Sequence, residues 1–331
     1  MNNVSVSRPA TLLLNLLIST KDHGFLGRVR WSALITVRRV LLRFSDPTVE
    51  YRFCGATLRI PLSHDLPLNR RAFPLYSENL GRIAAHLSEK FGAFPVIDIG
   101  ANIGDTVAII HQYTQPPILC IEGEPKFARL LAVNVASKLP SPVIEPSFVG
   151  RGGGALASLV HDGTARLVNC TAGDGAIIRT KGFEQILDEH PSFQASRLLK
   201  IDTDGMDIDI LNSAYDWISR QKPVLFFEYD PDLQRAHGDD GLELLGRLRD
   251  AGYHRVLVYE NIGDYMFSAE LGNETLLSEL HEFFSGWQSK RYCDLCVFHR
   301  EDEDIAQALR RCEMDFFRAA RSRAPAGLAN G

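Results

Sequence analysis

The 331-residue sequence contains no run of 18 or more apolar residues, so no bilayer-spanning helix is expected. It has no excess of basic residues either. Lys and Arg total 36 against 41 Asp and Glu, a formal net charge of −5, which disfavours nucleic acid as the main ligand. The apolar stretch from Ala10 to Ile18 is short, is broken by Asn15 and follows only Arg8. No small-residue cleavage site comes after it, so no signal peptide is expected. Cysteine is sparse: Cys54, Cys120, Cys170, Cys293, Cys296 and Cys312 are scattered along the chain. Cys293-Asp-Leu-Cys296 has the spacing of zinc and redox pairs, but no second pair accompanies it. Its context, YCDLCVF, reads as a strand, and residues three apart on a strand face opposite sides. The thiols read as structural, and the chain as one of a reducing, cytoplasmic compartment. No internal repeat is found. What remains is an ordinary globular composition, 45% hydrophobic and 23% charged, long enough for one large α/β domain with additions.

The first 60 residues stand apart. Nine basic residues face three acidic ones there, a formal +6, so the rest of the chain carries −11. Leu12–Ile18 and Trp31–Leu42 read as helices with basic faces. Such faces suit an anionic membrane surface or acidic substrate groups, though a segment of this kind is more often a lid or a packing helix pair with a solvated basic face.

From residue 95 short apolar runs alternate with helical stretches. Val96–Ile99, Ile118–Ile121, Leu198–Ile201, Val224–Phe227 and Val256–Tyr259 are strand candidates. Continuous apolar runs mark strands buried on both faces. Lys126–Ser137, Asp207–Ser219 and Gly241–Ala251 are the helices between them. The pattern predicts an α/β fold with a doubly wound, mostly parallel, Rossmann-like sheet, with ligands at the carboxyl ends of its strands. Residues 150–196 interrupt the rhythm. A glycine loop, Gly150–Gly154, precedes two β-like pieces near Ala157–His161 and Ala165–Thr171, an inserted hairpin. The expected organisation is an N-terminal helical, acceptor-recognising extension over 1–90 and a cofactor domain over 91–300. A C-terminal helix and disordered tail follow over 301–331.

Four motifs carry the chemistry. In Val96–Thr106 a strand ends at Asp98 and a glycine turn runs Gly100-Ala101-Asn102-Ile103-Gly104. Glycines there let the backbone turn tightly against a ligand. A dinucleotide site wants a glycine where Asn102 stands, because pyrophosphate rests on that backbone. S-adenosylmethionine carries no phosphate, and the Asp98 carboxylate suits its ammonium. Glu122 ends the next strand and can accept both ribose hydroxyls, while Glu124 begins the following helix. In Leu198–Leu211, Lys200 and Asp202 share one strand face. Asp202, Asp204, Asp207 and Asp209 form a carboxylate cluster. Its DxDG start resembles a calcium loop but lacks the later ligands, so a divalent metal is compatible and not predicted. In Pro223–Pro231, Glu228 ends a further strand beside Asp202. Val149 and Gly150, after a third strand, border the expected adenine.

In this order the motifs resemble the FkbM-type family of S-adenosylmethionine-dependent methyltransferases. The resemblance rests on Asp98-Ile-Gly-Ala-Asn-Ile-Gly104, on Glu122 with Leu131-Ala-Val-Asn134, on Lys200-Ile-Asp-Thr-Asp-Gly205 and on Phe227-Glu228. It covers about residues 95 to 262. Two departures stand out: Thr203-Asp-Gly-Met-Asp207 replaces V-E-G-x-E, and Ile121-Glu122-Gly123 replaces F-E-P. The resemblance implies a class I methyltransferase sheet and O-methylation of a sugar, glycan or glycolipid precursor. Asp98, Gly100, Ala101, Asn102, Gly104, Glu122, Val149 and Gly150 are then cofactor residues. Asp202 or Glu228 is the expected base, with Lys200 orienting the acceptor or pairing with Asp202. His111, His161, His190 and His237 are alternatives, none at a predicted strand end. Two other readings stay open: an NAD-linked oxidoreductase or epimerase on a nucleotide sugar, and a non-catalytic cofactor-binding scaffold.

Overall fold

In a computed structural model of the chain, residues 4–20, 24–136, 138, 140–150, 157–161, 165–169, 180–203, 205–285 and 292–323 are described. The short apolar runs become the strands of one eight-stranded sheet. In chain order these are β1 (Val96–Ile99), β2 (Ile118–Ile121), β3 (Val143–Glu145) and β4 (Leu198–Ile201). Then come β5 (Val224–Tyr229), β6 (Tyr253–Glu260), β7 (Tyr265–Glu270) and β8 (Cys293–His299). Their spatial order is 7-6-8-5-4-1-2-3. β3, β2, β1, β4 and β5 pair in parallel, whereas β8 is antiparallel to both β5 and β6.

Every residue of β1, β2, β4 and β5 is buried, as continuous apolar runs require. Period-2 alternation divides their side chains between two cores. Val96, Cys120, Leu198, Phe226 and Cys296 face one core; Ile97, Leu119, Leu199, Leu225 and Cys293 face the other. Cys293 and Cys296 therefore lie on opposite faces, as their spacing predicts.

The first core is completed by the N-terminal region. Helix α1 (Arg8–Ser19) contributes Ala10 and Leu14, and α4 (Asn79–Phe91) contributes Leu80, Ile83 and Leu87. Between them lie α2 (Gly24–Leu42), α3 (Leu66–Ala72) and an antiparallel hairpin, Thr48–Phe53 with Ala56–Pro61. The expected helical extension thus also contains β structure. Its hairpin turns on Cys54 and Gly55, both at positive φ, as a two-residue turn of this hand requires. Asn134, at the end of α5 (Pro125–Val135), ties three pieces together. Its amide donates to the carbonyls of Arg59 (3.0 Å) and Ile103 (2.8 Å) and accepts from the Arg59 N–H (2.7 Å).

The helix expected over Asp207–Ser219 is two, Asp207–Ser213 and Tyr215–Gln221, separated at Ala214. The expected hairpin is present as Ala157–His161 paired with Ala165–Asn169. The side chain of His161, the loop residues 151–156, Cys170, Asp204 and the tail from 324 lie outside the described residues.

Candidate active site

The sheet reverses its winding between β1 and β4, and the crevice at their carboxyl ends is where such sheets bind ligands. Parallel register puts Lys200 directly beside Asp98 and beside Phe226. Strand parity then places Asp98, Lys200 and Glu228 on one face of the sheet. Asp294 on β8 is the register partner of Glu228.

Lys200 is the hub. Its ammonium lies 3.0 Å from Asp98 Oδ1 and 3.5 Å from Asp202 Oδ2, and donates to the Gly100 carbonyl at 3.2 Å. Burial alone would depress this ammonium. The carboxylates of Asp98, Asp202 and Asp105 outweigh it and hold the lysine charged beyond its ordinary range. For Asp98 burial pulls the other way, raising its carboxyl, with Lys200 offsetting part of the rise. The 3.0 Å separation favours the ionised pair, because a neutral pair would forfeit the one charge partner that this buried carboxylate has.

Lys200 thereby fixes the glycine turn. Gly100, at φ +76°, passes so close to β4 that an added Cβ would sit 1.9 Å from the Asp202 carbonyl oxygen. The N–H groups of Gly100 and Ala101 donate to the Ile121 carbonyl at 3.0 and 3.1 Å. Asn102 also has positive φ, +45°. Its N–H donates to Glu122 Oε2 at 2.8 Å, and the Glu124 N–H donates to Glu122 Oε1 at 2.7 Å. Each Glu122 oxygen keeps a lone pair for a further donor. Burial pushes the Glu122 carboxyl up to about 7, against the lowering effect of these two N–H donors.

Two clefts meet at this turn. The smaller is lined by apolar Phe148, Val149, Met206 and Ile210 and by two acids, Glu122 and Asp202. Gly123 makes room for it: a Cβ there would lie 2.3 Å from the Phe148 ring, which accounts for glycine at this position. The larger cleft, of about 330 Å³, is lined by Asp65, Asp105, Asp202, Glu228, Asp294 and Lys200, with His64, Tyr76 and Tyr292 among its other walls. Gly100, Asn102 and Asp202 line both.

The expected site residues divide by position. Glu122 and Val149 face the smaller cleft; Lys200 and Glu228 face the larger. Asp98, Ala101, Gly104 and Gly150 line neither. Asp98 lies behind Lys200, Gly104 backs onto Leu131, and the Gly150 N–H donates to the Lys181 carbonyl. Asp207 turns inward and accepts from Thr203 Oγ1 at 3.0 Å, shaping the loop after β4. His111 approaches the Pro116 carbonyl and His190 approaches Glu145, so both point elsewhere.

Two cleft residues were not legible as candidates. Asp294 sits between two cysteines on a reversed strand. Burial raises its carboxyl well above the usual range, Asp202 adds to this, and Lys200 offsets part. His64 follows the N-terminal hairpin, at no strand end. The Leu66 N–H donates to its Nδ1 at 3.2 Å, which puts the proton of the neutral ring on Nε2. Burial lowers its pKa, with Asp105 opposing. Among the described residues, only Glu145, Glu189 and His190 lie close enough together to share a cation. There Lys181 already bridges the two glutamates, at 2.9 and 2.8 Å.

A sheet in which the reversed β8 is inserted between β5 and β6, with a glycine turn after β1 and an acid after β2, has the Rossmann-like arrangement of class I methyltransferases. Residues 98–255 match the family model described as the Methyltransferase FkbM domain. No curated protein matches the sequence. Among solved structures it is similar to methyltransferase FkbM from Methylobacillus flagellatus, with 13% identity over 86% of this chain and 58% of that one, TM-score 0.37. It is also similar to an O-methyltransferase from Bacillus cereus in complex with SAH, with 14% identity over 70% and 88% of the two chains, TM-score 0.36. A third is precorrin-6y C5,15-methyltransferase from Geobacter metallireducens, with 10% identity over 65% and 86%, TM-score 0.34. At such identities and scores these likenesses add nothing to what the strand order and the family match establish.

Proposed function

We propose that the chain transfers a methyl group from S-adenosylmethionine to a hydroxyl of a sugar, glycan or glycolipid precursor. The observation that carries this reading is the junction of two unlike clefts on Gly100, Asn102 and Asp202. The smaller combines apolar walls with Glu122; the larger is rich in carboxylates. The smaller cleft fits a nucleoside: Phe148, Val149, Met206 and Ile210 offer flat or apolar contact, and Glu122 keeps acceptor capacity for a ribose diol. S-adenosylmethionine supplies an electrophilic methyl when bound. The protein's part is to bring an acceptor oxygen to the junction and to take its proton.

Carboxylates that accept from several hydroxyls at once are what a polyhydroxyl acceptor needs. Asp202 stands at the junction. Glu228 and Asp294 form the adjoining pair, and burial holds the Asp294 carboxyl well above its ordinary range. Tyr76 and Tyr292 stay protonated, chiefly through burial and then through Asp202 and Glu228 respectively, and offer donors. Lys200 keeps the glycine turn in place from behind. The five described cysteines are free, which fits a cytoplasmic enzyme.

The test is calorimetric titration with S-adenosylmethionine, S-adenosylhomocysteine and NAD, followed by methyl transfer to a panel of glycan acceptors. The first two are expected to bind, and Glu122→Ala to weaken both at least tenfold. Asp202→Asn is expected to keep cofactor affinity and lose turnover. Binding of NAD alone would replace this reading with the oxidoreductase one. Cofactor binding with turnover indifferent to changes at Asp202, Glu228 and Asp294 would favour a scaffold.

A further inference from the structure

Helix α2 packs one side against the protein through Ile35 and Arg38. Among the described residues, its other side is unpartnered. Leu26, Val29, Ala33, Val37, Val40 and, just beyond the helix end, Phe44 recur at three- and four-residue spacing and are all exposed. Leu26 is 75% exposed and Phe44 84%, values a soluble helix seldom presents in a line. The stripe is bordered by exposed arginines. Arg28, Arg39 and Arg43 fall along one edge and Arg30 along the other, and α2 contains no acidic residue at all.

We infer that this face of α2 docks on an anionic lipid surface, lying in the interface plane. The charge pattern chooses the occupant. A second copy of the same helix would set arginine against arginine with no acid to pair them, whereas helix pairs are stabilised by opposite charges beside the seam. Lipid phosphates supply the missing anions, and the apolar stripe supplies burial at the headgroup boundary. No described helix is long and apolar enough to cross a bilayer.

On its packed side, α2 is tied to a wall of the larger cleft. Arg38 donates through Nε to the Leu62 carbonyl (3.0 Å) and through Nη2 to the Ser63 carbonyl (2.7 Å), and it pairs with Asp65 at 3.3 Å. His64, Asp65, Leu66 and Asn69, on this same segment, form a wall of that cleft. A protein seated by α2 therefore holds its acceptor cleft close to the lipid surface. Resting on the methyltransferase reading, this narrows the acceptor to a hydroxyl compound anchored in a membrane.

The test uses the full chain and does not require activity. Co-sedimentation is measured with vesicles of phosphatidylcholine alone and of phosphatidylcholine mixed with phosphatidylglycerol. At least tenfold stronger binding to the anionic vesicles is expected, fading as salt rises. Val29→Glu with Val37→Glu should abolish it. Arg39→Ser with Arg43→Ser should remove the preference for anionic lipid. Phe283→Ser, at an exposed aromatic elsewhere, should change nothing. Melting temperatures check that each variant folds, and unaltered cofactor titration separates this inference from the catalytic reading. Equal binding to both vesicles, or none, overturns it. So does a solution dimer that Val37→Glu dissociates, which would assign the stripe to a second copy.

Discussion

Glu122 carries the sharpest pH signature at the scale of single residues. Burial raises its carboxyl from 4.5 to about 7, although two backbone N–H groups favour the ionised form. Between these pH values the folded, ligand-free protein holds a proton that the unfolded chain has released. Stability therefore falls as pH rises through that window, by at most roughly 3 kcal/mol. A ligand that donates hydroxyl hydrogens to the carboxylate does the opposite and binds better as pH rises through about 7. Titration of S-adenosylhomocysteine between pH 6 and 8 should show affinity increasing with pH, with Glu122→Gln giving a weak and flat profile. A flat wild-type profile would remove Glu122 from the cofactor contact. Much of this residue's neighbourhood was legible beforehand. An acid directly after an apolar run ends a buried strand, and parity puts Lys200 and Asp202 on one face. What parity could not tell is which buried partner Lys200 would find. The answer, Asp98, depends on β1 and β4 being neighbours in exact register, and register is a property of the assembled sheet.

Between elements, a buried ion pair clamps α4 to the C-terminal helix Glu303–Arg323. Arg82 reaches Glu313 through two parallel bonds, Nε to Oε1 at 2.9 Å and Nη2 to Oε2 at 2.7 Å. Both side chains are almost wholly buried, and Arg82 also lies 4.0 Å over the Phe316 ring. A buried charge left without its partner costs about 3–5 kcal/mol, whereas an apolar pair of similar volume costs little. Glu313→Ala should therefore lower unfolding free energy by about that amount in urea. Arg82→Met with Glu313→Leu should recover most of the loss, a non-additivity that a merely superficial contact would not show. Neither residue stood out in the sequence, since 231 positions separate them and an arginine in a helix ordinarily reads as a solvated face. The N-terminal hairpin was missed for a local reason. Its strands alternate as a half-buried pair should, but they turn on Cys54-Gly55, where a hairpin ordinarily announces itself with Asn-Gly. Asp294 escaped because β8 enters the sheet in reverse, so its place opposite Glu228 follows from topology and not from any motif.

The charge imbalance along the chain makes the first 60 residues look like an appendage, and the packing argues otherwise. α1 contributes Ala10 and Leu14, the hairpin contributes Val49, Leu58 and Ile60, and these join one apolar cluster with Val96, Val107, Leu198 and Ile305. Each such side chain is worth roughly 1.5–3 kcal/mol when fully removed from water, so the region cannot detach without exposing the sheet face beneath it. Arg38 fixes α2 to the Leu62–Asp65 segment, and Arg71 lies 5.3 Å over the Trp31 ring, joining α2 to α3. Trp217 reports from the opposite face, packed edge-on to Phe183 at 5.2 Å. Two single-tryptophan variants, one keeping Trp31 and one keeping Trp217, therefore give probes on either side of the sheet. If the extension and the methyltransferase domain share a core, their fluorescence midpoints in urea should coincide with each other and with loss of helical circular dichroism. An earlier midpoint for Trp31 alone would mean that α2 loosens first. The basic face would then ride on a separately melting arm, and the larger cleft would lose its His64–Asn69 wall before the sheet unfolds.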